Sequence, residues 1–177
     1  MAEISLAVWT LLLRLPDHEV LHCQAESDLN LYRFTVGPRQ RIAVCPHCGR
    51  SCDQVHQTRT RAPIKDLPIS NFAVELKVRV PQYQCPRCQQ CFTPAVPFLF
   101  EGAHATTRFL ERAAVLVRTS DIANAAAFLG VPERTLADWY YDYLQRRAAT
   151  ATPKLQPIRH IGIDELSLKK STDSSSP

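Results

Sequence analysis

The chain has 177 residues, 45% of them apolar, and a formal net charge of +4, enough for one domain or two small ones with packed cores. The apolar run 4–15 spans only 12 residues, follows Glu3 and contains Arg14, which excludes a membrane span or secretory leader there and predicts a soluble protein. The charge is unevenly spread: residues 1–29 carry one Arg against five acids, and residues 30–90 carry ten Lys or Arg against three. A basic middle segment points to a polyanionic partner, nucleic acid first, with a solvated basic face as the alternative.

Leu6, Trp9, Leu12 and Leu13 recur at helical spacing and predict an amphipathic helix over 4–14, ended by Pro16. Residues 20–24 and 29–36 then read as two strands joined by a polar turn at 26–28, with Gly37-Pro38 as the next turn. Cys23, inside the first strand, reads as a small core residue.

Two short motifs follow, Cys45-Pro46-His47-Cys48 and Cys85-Pro86-Arg87-Cys88. Each C-P-x-C turn can aim two sulfurs at one point, and two such pairs make the tetrahedral S₄ set that Zn²⁺ takes in structural sites. Gly49 supplies the permissive backbone that the first turn needs. A redox or disulfide role is the alternative, but redox pairs normally occur once, at the start of a helix. Seven cysteines without a leader favour a reducing compartment and metal use. His47, Cys52, His56 and Cys91 are competing ligands, with Cys91 or Cys52 able to replace a member of the expected set Cys45, Cys48, Cys85 and Cys88. Between the motifs, Phe72, Val74, Leu76, Val78 and Val80 alternate with Ala73, Glu75, Lys77 and Arg79. This is a strand with one apolar and one charged face, delivering the second knuckle as in a zinc ribbon.

Beyond Pro97 the pattern turns helical. Thr106 reads as an N-cap before Phe109, Leu110, Ala113, Leu116 and Val117. A second helix begins near Ser120 and carries Ile122, Ala125, Ala126 and Leu129 up to Gly130. A third spans 133–147, with Leu136, Trp139, Tyr140, Tyr143 and Leu144 facing inward. The stretch 126–136 has the form of a helix-turn-helix, which would put Glu133, Arg134, Thr135 and Asp138 at base edges, and a plain three-helix bundle is the other reading. For phosphate contact the candidates are Arg59, Arg61, Lys77 and Arg79, and for base reading Arg134 and Thr135. The last segment, His160-Ile161-Gly162-Ile163-Asp164-Glu165, runs up an apparent strand to an acid.

The order of C-P-H-C-G, D-L-P before the 72–80 strand, C-P-R-C, an L-G-V helical turn and H-I-G-I-D-E resembles bacterial insertion-sequence transposases, the insertion-sequence L-three family in particular. The resemblance covers about residues 5–170 and rests on the order of motifs. It implies an N-terminal zinc-binding region, a helix-turn-helix, and the beginning of an RNase H-like domain in which Asp164 matches the first acid of a D-D-E triad. The expected class is therefore α+β. The expected divisions are an N-terminal helix and hairpin (1–40), a zinc ribbon (41–100), a helix-turn-helix domain (101–150), and the first strand of a truncated catalytic domain with a disordered tail (151–177).

The function so implied is sequence-specific binding of double-stranded DNA at the terminal repeats of an insertion sequence, in the cytoplasm and at the nucleoid, with a homodimer among the partners and no membrane. Structural Zn²⁺ is expected in this chain, and Mg²⁺ only in a full-length family member. Because Asp164 is the only triad acid matched, no strand transfer is expected from this chain alone. Its serine-rich end reads as a disordered tail or a frame that left the gene early. A zinc-stabilised protein-interaction adaptor or a regulatory remnant is the competing function.

Overall fold

A computed structural model describes residues 4–150 as a mixed α+β protein. Helix α1 (Leu6–Leu13) starts at Ser5, whose hydroxyl accepts from the Val8 N–H at 3.4 Å, and stops at Arg14 in the left-handed region. Its sequence is apolar all round, so packing decides which face is buried. Trp9 and Leu13 turn inward, and the Trp9 ring lies 5.1 Å from the centroids of both Tyr32 and Phe34. Leu6 and Leu12, expected on the inner stripe, are 41% and 57% exposed.

Strands β1 (His18–Glu26) and β2 (Leu31–Pro38) form an antiparallel pair across a short 3₁₀ turn, Ser27–Leu29. Gly37 and Pro38 continue β2 opposite Glu19 and His18, where a turn was expected. The pairing uses their backbone, and the chain turns later, at the approach to the first knuckle.

Two two-residue strands frame that knuckle as an antiparallel pair, β3 (Ala43–Val44) and β4 (Ser51–Cys52). A long hairpin follows, β5 (Val55–Ile69) and β6 (Phe72–Gln84), and then the short β7 (Cys91–Phe92). The main sheet runs β1-β2-β6-β5, with β2 and β6 parallel and the other pairs antiparallel. Because β6 pairs with β2, the division expected at residue 40 is crossed by one sheet. One face of that sheet carries Phe34, Val36, Val74, Leu76, Val78 and Val80, buried under α1, Leu15 and Phe98. The opposite face carries Arg33, Thr35, Glu75, Lys77 and Arg79.

Three helices complete the described chain. Helix α2 (Thr107–Thr119) is capped by Thr106, and α3 (Ile122–Leu129) by Asp121, whose carboxylate accepts from the Asn124 N–H at 2.7 Å. Gly130, at φ 61°, ends α3, and α4 (Glu133–Thr150) runs away from it. Phe109, Leu110, Ala113, Ala125, Ala126, Leu136 and Tyr143 share a core. Trp139 and Tyr140 are half-buried against it, and Leu144, expected inward, is exposed.

The helices are tied to the sheet through Asp66, which is 2% exposed. Its carboxylate accepts from the Thr106 hydroxyl at 2.7 Å and from Arg108 Nε at 2.7 Å, and pairs with Arg108 Nη2. Arg108 Nη1 also donates to the Leu13 carbonyl at 2.6 Å, so one guanidinium joins α1, β5 and α2. Backbone bonds from Lys65 N to His104 O and from Thr106 N to Lys65 O, at 2.8 and 2.9 Å, complete the junction. Replacing Arg108 by Ala strands a buried carboxylate and is expected to cost about 3 kcal/mol, read as a lower urea midpoint at unchanged slope. The double variant D66A/R108A should recover part of that loss, because it leaves no stranded charge.

Candidate metal centre and nucleic-acid interface

The two knuckles have the same local construction. In each, the first cysteine's N–H donates to the carbonyl five residues on (Cys45 to Arg50, 2.8 Å; Cys85 to Gln90, 2.9 Å). Its carbonyl accepts from the N–H four residues on, Gly49 or Gln89, at 2.9 Å in both. Those residues are left-handed, Gly49 at φ 71° and Gln89 at φ 59°, so the turn requires that conformation even where glycine is absent.

These turns gather Cys45, Cys48, Cys85 and Cys88, whose sulfurs all lie within 4.8 Å of one another. The Cys45–Cys88 and Cys48–Cys85 sulfur separations are 3.7 and 3.5 Å. A regular tetrahedron with Zn–S bonds of about 2.3 Å has edges of about 3.8 Å, so the four thiols are already spaced for the ion. Hydrogen bonding from the Cys88 backbone, opposed by burial and helped by the Arg87 backbone, brings the Cys85 thiol down to about 6. At Cys88 the Gln90 backbone pulls the other way, but burial and the neighbouring thiols Cys85, Cys45 and Cys48 push it up to about 12. One sulfur ionises readily and its neighbours then resist. A divalent cation offsets the repulsion of all four thiolates.

A shift of 40 positions superposes one knuckle's sequence roles on the other and separates the competing cysteines. Cys52 corresponds to Phe92, and Cys91 corresponds to Ser51. Cys52 and Phe92 are both buried beneath the site with Tyr83, whose ring stacks 5.9 Å from Phe92. Cys52 therefore fills space, and burial, with added effects of Cys85, Cys45 and Cys48, pushes its thiol up to about 11. Cys91 is exposed, like its counterpart Ser51. Cys23 lies against the sheet core, away from the cluster. His47 and His56 are exposed and outside the four-cysteine group.

The candidate DNA contacts do not form one surface. Lys77 and Arg79 stand together on the open face of the sheet. Arg59 lies opposite Val80 and Arg61 opposite Val78 on the edge strand β5, so their register assigns them to the other face. Arg134 is exposed at the start of α4 and Thr135 is half-buried beside it. Two further arginines, Arg39 and Arg41, lie with Arg79 along one groove. Their Arg-x-Arg spacing just ahead of the first knuckle is the signal by which the sequence could have revealed them. Asp164 and Glu165 fall outside the described residues, as does the expected RNase H-like strand. No described helix is long and apolar enough to cross a membrane.

The fold and site define a four-cysteine zinc ribbon built into a larger sheet. Residues 41–88 match the family described as the zinc-finger of transposase IS204/IS1001/IS1096/IS1165. The chain is also 27% identical over 133 residues to the transposase for insertion sequence element IS1001 of Bordetella parapertussis, an alignment covering 75% of this chain and 32% of that protein. It is thus related to insertion-sequence transposases and spans about a third of the length of the curated relative it matches. No solved structure matches it.

Cys45→Ser and Cys85→Ser are each expected to release zinc and unfold the ribbon, whereas Cys23→Ser retains about one zinc per chain by elemental analysis. Under native conditions a thiol reagent should modify exposed Cys91 quickly and spare buried Cys52, as peptide mass spectrometry would read.

Proposed function

We propose that this chain is the DNA-binding part of an insertion-sequence transposase of the L-three type, recognising the element's terminal repeats. The observation that carries this reading is a transposase-type zinc ribbon joined to a sheet face whose Lys77 and Arg79 make no ion pair among the described residues. Helices α3 and α4, with left-handed Gly130 and buried Val131 between them, serve as a helix-turn-helix. The first turn of α4 then offers Arg134 and Thr135 to base edges in the major groove, with Glu133 and Asp138 exposed on the same helix. Lys77 and Arg79 hold phosphates, which fix register without reading sequence, and Arg59 and Arg61 reach the backbone from the edge strand. The Asp66–Arg108 junction ties α2, whose core α4 shares, to the sheet that carries the phosphate face. The units proposed are those read from the sequence, with the 1–40 segment joined to the ribbon through β6.

The full-length family's reaction, catalysed with divalent ions at three carboxylates, belongs to this reading only through Asp164. A homodimer acting at the nucleoid in the cytoplasm completes it. A protein-interaction adaptor is the second reading, favoured by the exposure of Phe128 (76%) on α3 and Leu11 (71%) on α1.

Binding to duplexes carrying the terminal repeats, followed across a salt series, separates the two. The DNA reading requires affinity that falls steeply with salt, and affinity indifferent to salt would leave the adaptor. Arg134→Ala should relax sequence preference at a cost of about 1–3 kcal/mol, while Lys77→Ala weakens all duplexes alike.

A further inference from the structure

The open sheet face is electrostatically lopsided. Toward the helical end, Arg33 pairs with Glu26 and Glu75, and Lys65 pairs with Glu75. Toward the ribbon end, Arg39, Arg41, Lys77 and Arg79 make no ion pair among the described residues. Arg39, Arg41 and Arg79 line a groove between the ends of β1, β2, β5 and β6, together with Thr58 and Thr60. Gly37 keeps its floor low: a Cβ there would meet Leu21 Cδ1 at 2.9 Å and come within 3.8 Å of Arg79 Cβ. Arg39 is steadied from behind, its Nε donating to the His18 carbonyl at 3.1 Å, which leaves both terminal amino groups for a ligand. Arg41 and the buried Tyr83 line the same groove. Glu19 is the acid lining the groove, so three guanidinium groups against one carboxylate leave it positive.

We infer that this groove is a seat for the sugar–phosphate backbone of the bound duplex, with Arg39, Arg41 and Arg79 as its phosphate contacts and Lys77 extending the track. The inference rests on the DNA-binding reading and adds where the backbone lies. The groove is open at the surface and continuous with Lys77 on the same face, which suits a running chain of phosphodiesters. Residues two apart on a strand are about 7 Å apart. Lys77 and Arg79 thus present two cations in a row along one face of the sheet, next to the groove. Glu19 sets the margin of the seat by repelling the backbone on one side.

The test is duplex binding by the full chain over a salt series, using two sequence-unrelated duplexes and the variant R39Q/R41Q/R79Q. Zinc content and far-UV circular dichroism serve as the check on folding. The expected result is a salt slope smaller in magnitude by about 2.7, from about 0.9 per lost contact, and an affinity about 10²-fold lower near 0.1 M salt on both duplexes. The charge-matched control R50Q/R87Q/R112Q should keep the wild-type slope. Glu19→Gln should tighten binding severalfold, a gain that a purely structural groove would not produce. An unchanged slope in R39Q/R41Q/R79Q while wild type still binds, or an equal loss in the control, overturns the seat and leaves the DNA-binding reading standing. No salt-dependent binding by wild type overturns that reading and the seat with it. Saturable binding of inorganic phosphate alone, lost in R39Q/R41Q/R79Q while its DNA slope is unchanged, marks a free-anion site and also overturns the proposal.

Discussion

The four thiolates and the ion they hold are the constraint on which the middle of the chain depends. The side chains packed beneath them are few: Cys52, Tyr83 and Phe92, with the cysteines themselves. So small a core supplies little burial energy, and the metal must provide the rest. The ion also closes a long excursion, since 36 residues separate Cys48 from Cys85 and include the whole β5–β6 hairpin. Closing that loop at its base removes many unfolded conformations. The end of β6 where it meets the metal is therefore fixed, and with it the face bearing Lys77 and Arg79.

A second anchor acts at the opposite end of the same hairpin. Asp66 sits near the end of β5 and receives hydrogen bonds from the residue that caps α2 and from a guanidinium that also holds the end of α1. A carboxylate with this many charged and neutral donors is satisfied despite complete burial. The hairpin is thus held by a cation among sulfurs at one end and by an anion among donors at the other. What lies between them behaves as a rigid spacer joining the ribbon to the helices.

Much of this was legible in the residues, for physical reasons that differ by element. Strand β6 announced itself because one of its faces is core and the other solvent, so strict alternation was unavoidable. Its continuation through Pro81 to Gln84 was hidden, since proline normally discourages a strand interior. The four clustered cysteines could be read from spacing, because a turn of fixed length must present both sulfurs together. Strand β5 was missed altogether: residues 55–61 are exposed on both sides and carry no periodicity, and their structure comes only from pairing with β6. The parallel pairing of β2 with β6 is a long-range choice with no local trace. In α1 the register of burial was invisible because every face is apolar, and the sheet chose Trp9 and Leu13. Groove-lining Arg39 and Arg41 were hidden by the turn expected at Gly37-Pro38, which is strand instead.

That exposed half of β5 has an implication for how the protein avoids its own kind. Its outer edge is unpaired along residues 55–61 among the described strands, whereas further on the same edge is covered at Lys65 by Ala105. An open strand edge invites the same edge of another molecule, and such pairing grows into aggregates. Here His-Gln-Thr-Arg-Thr-Arg, followed by Ala62 and Pro63, places cations and a ring without an N–H where a second strand would add. Two copies brought edge to edge would set Arg59 and Arg61 against their equals, a repulsion that protects solubility. A substitution that removes the arginines of this edge would thus also remove a guard against self-association.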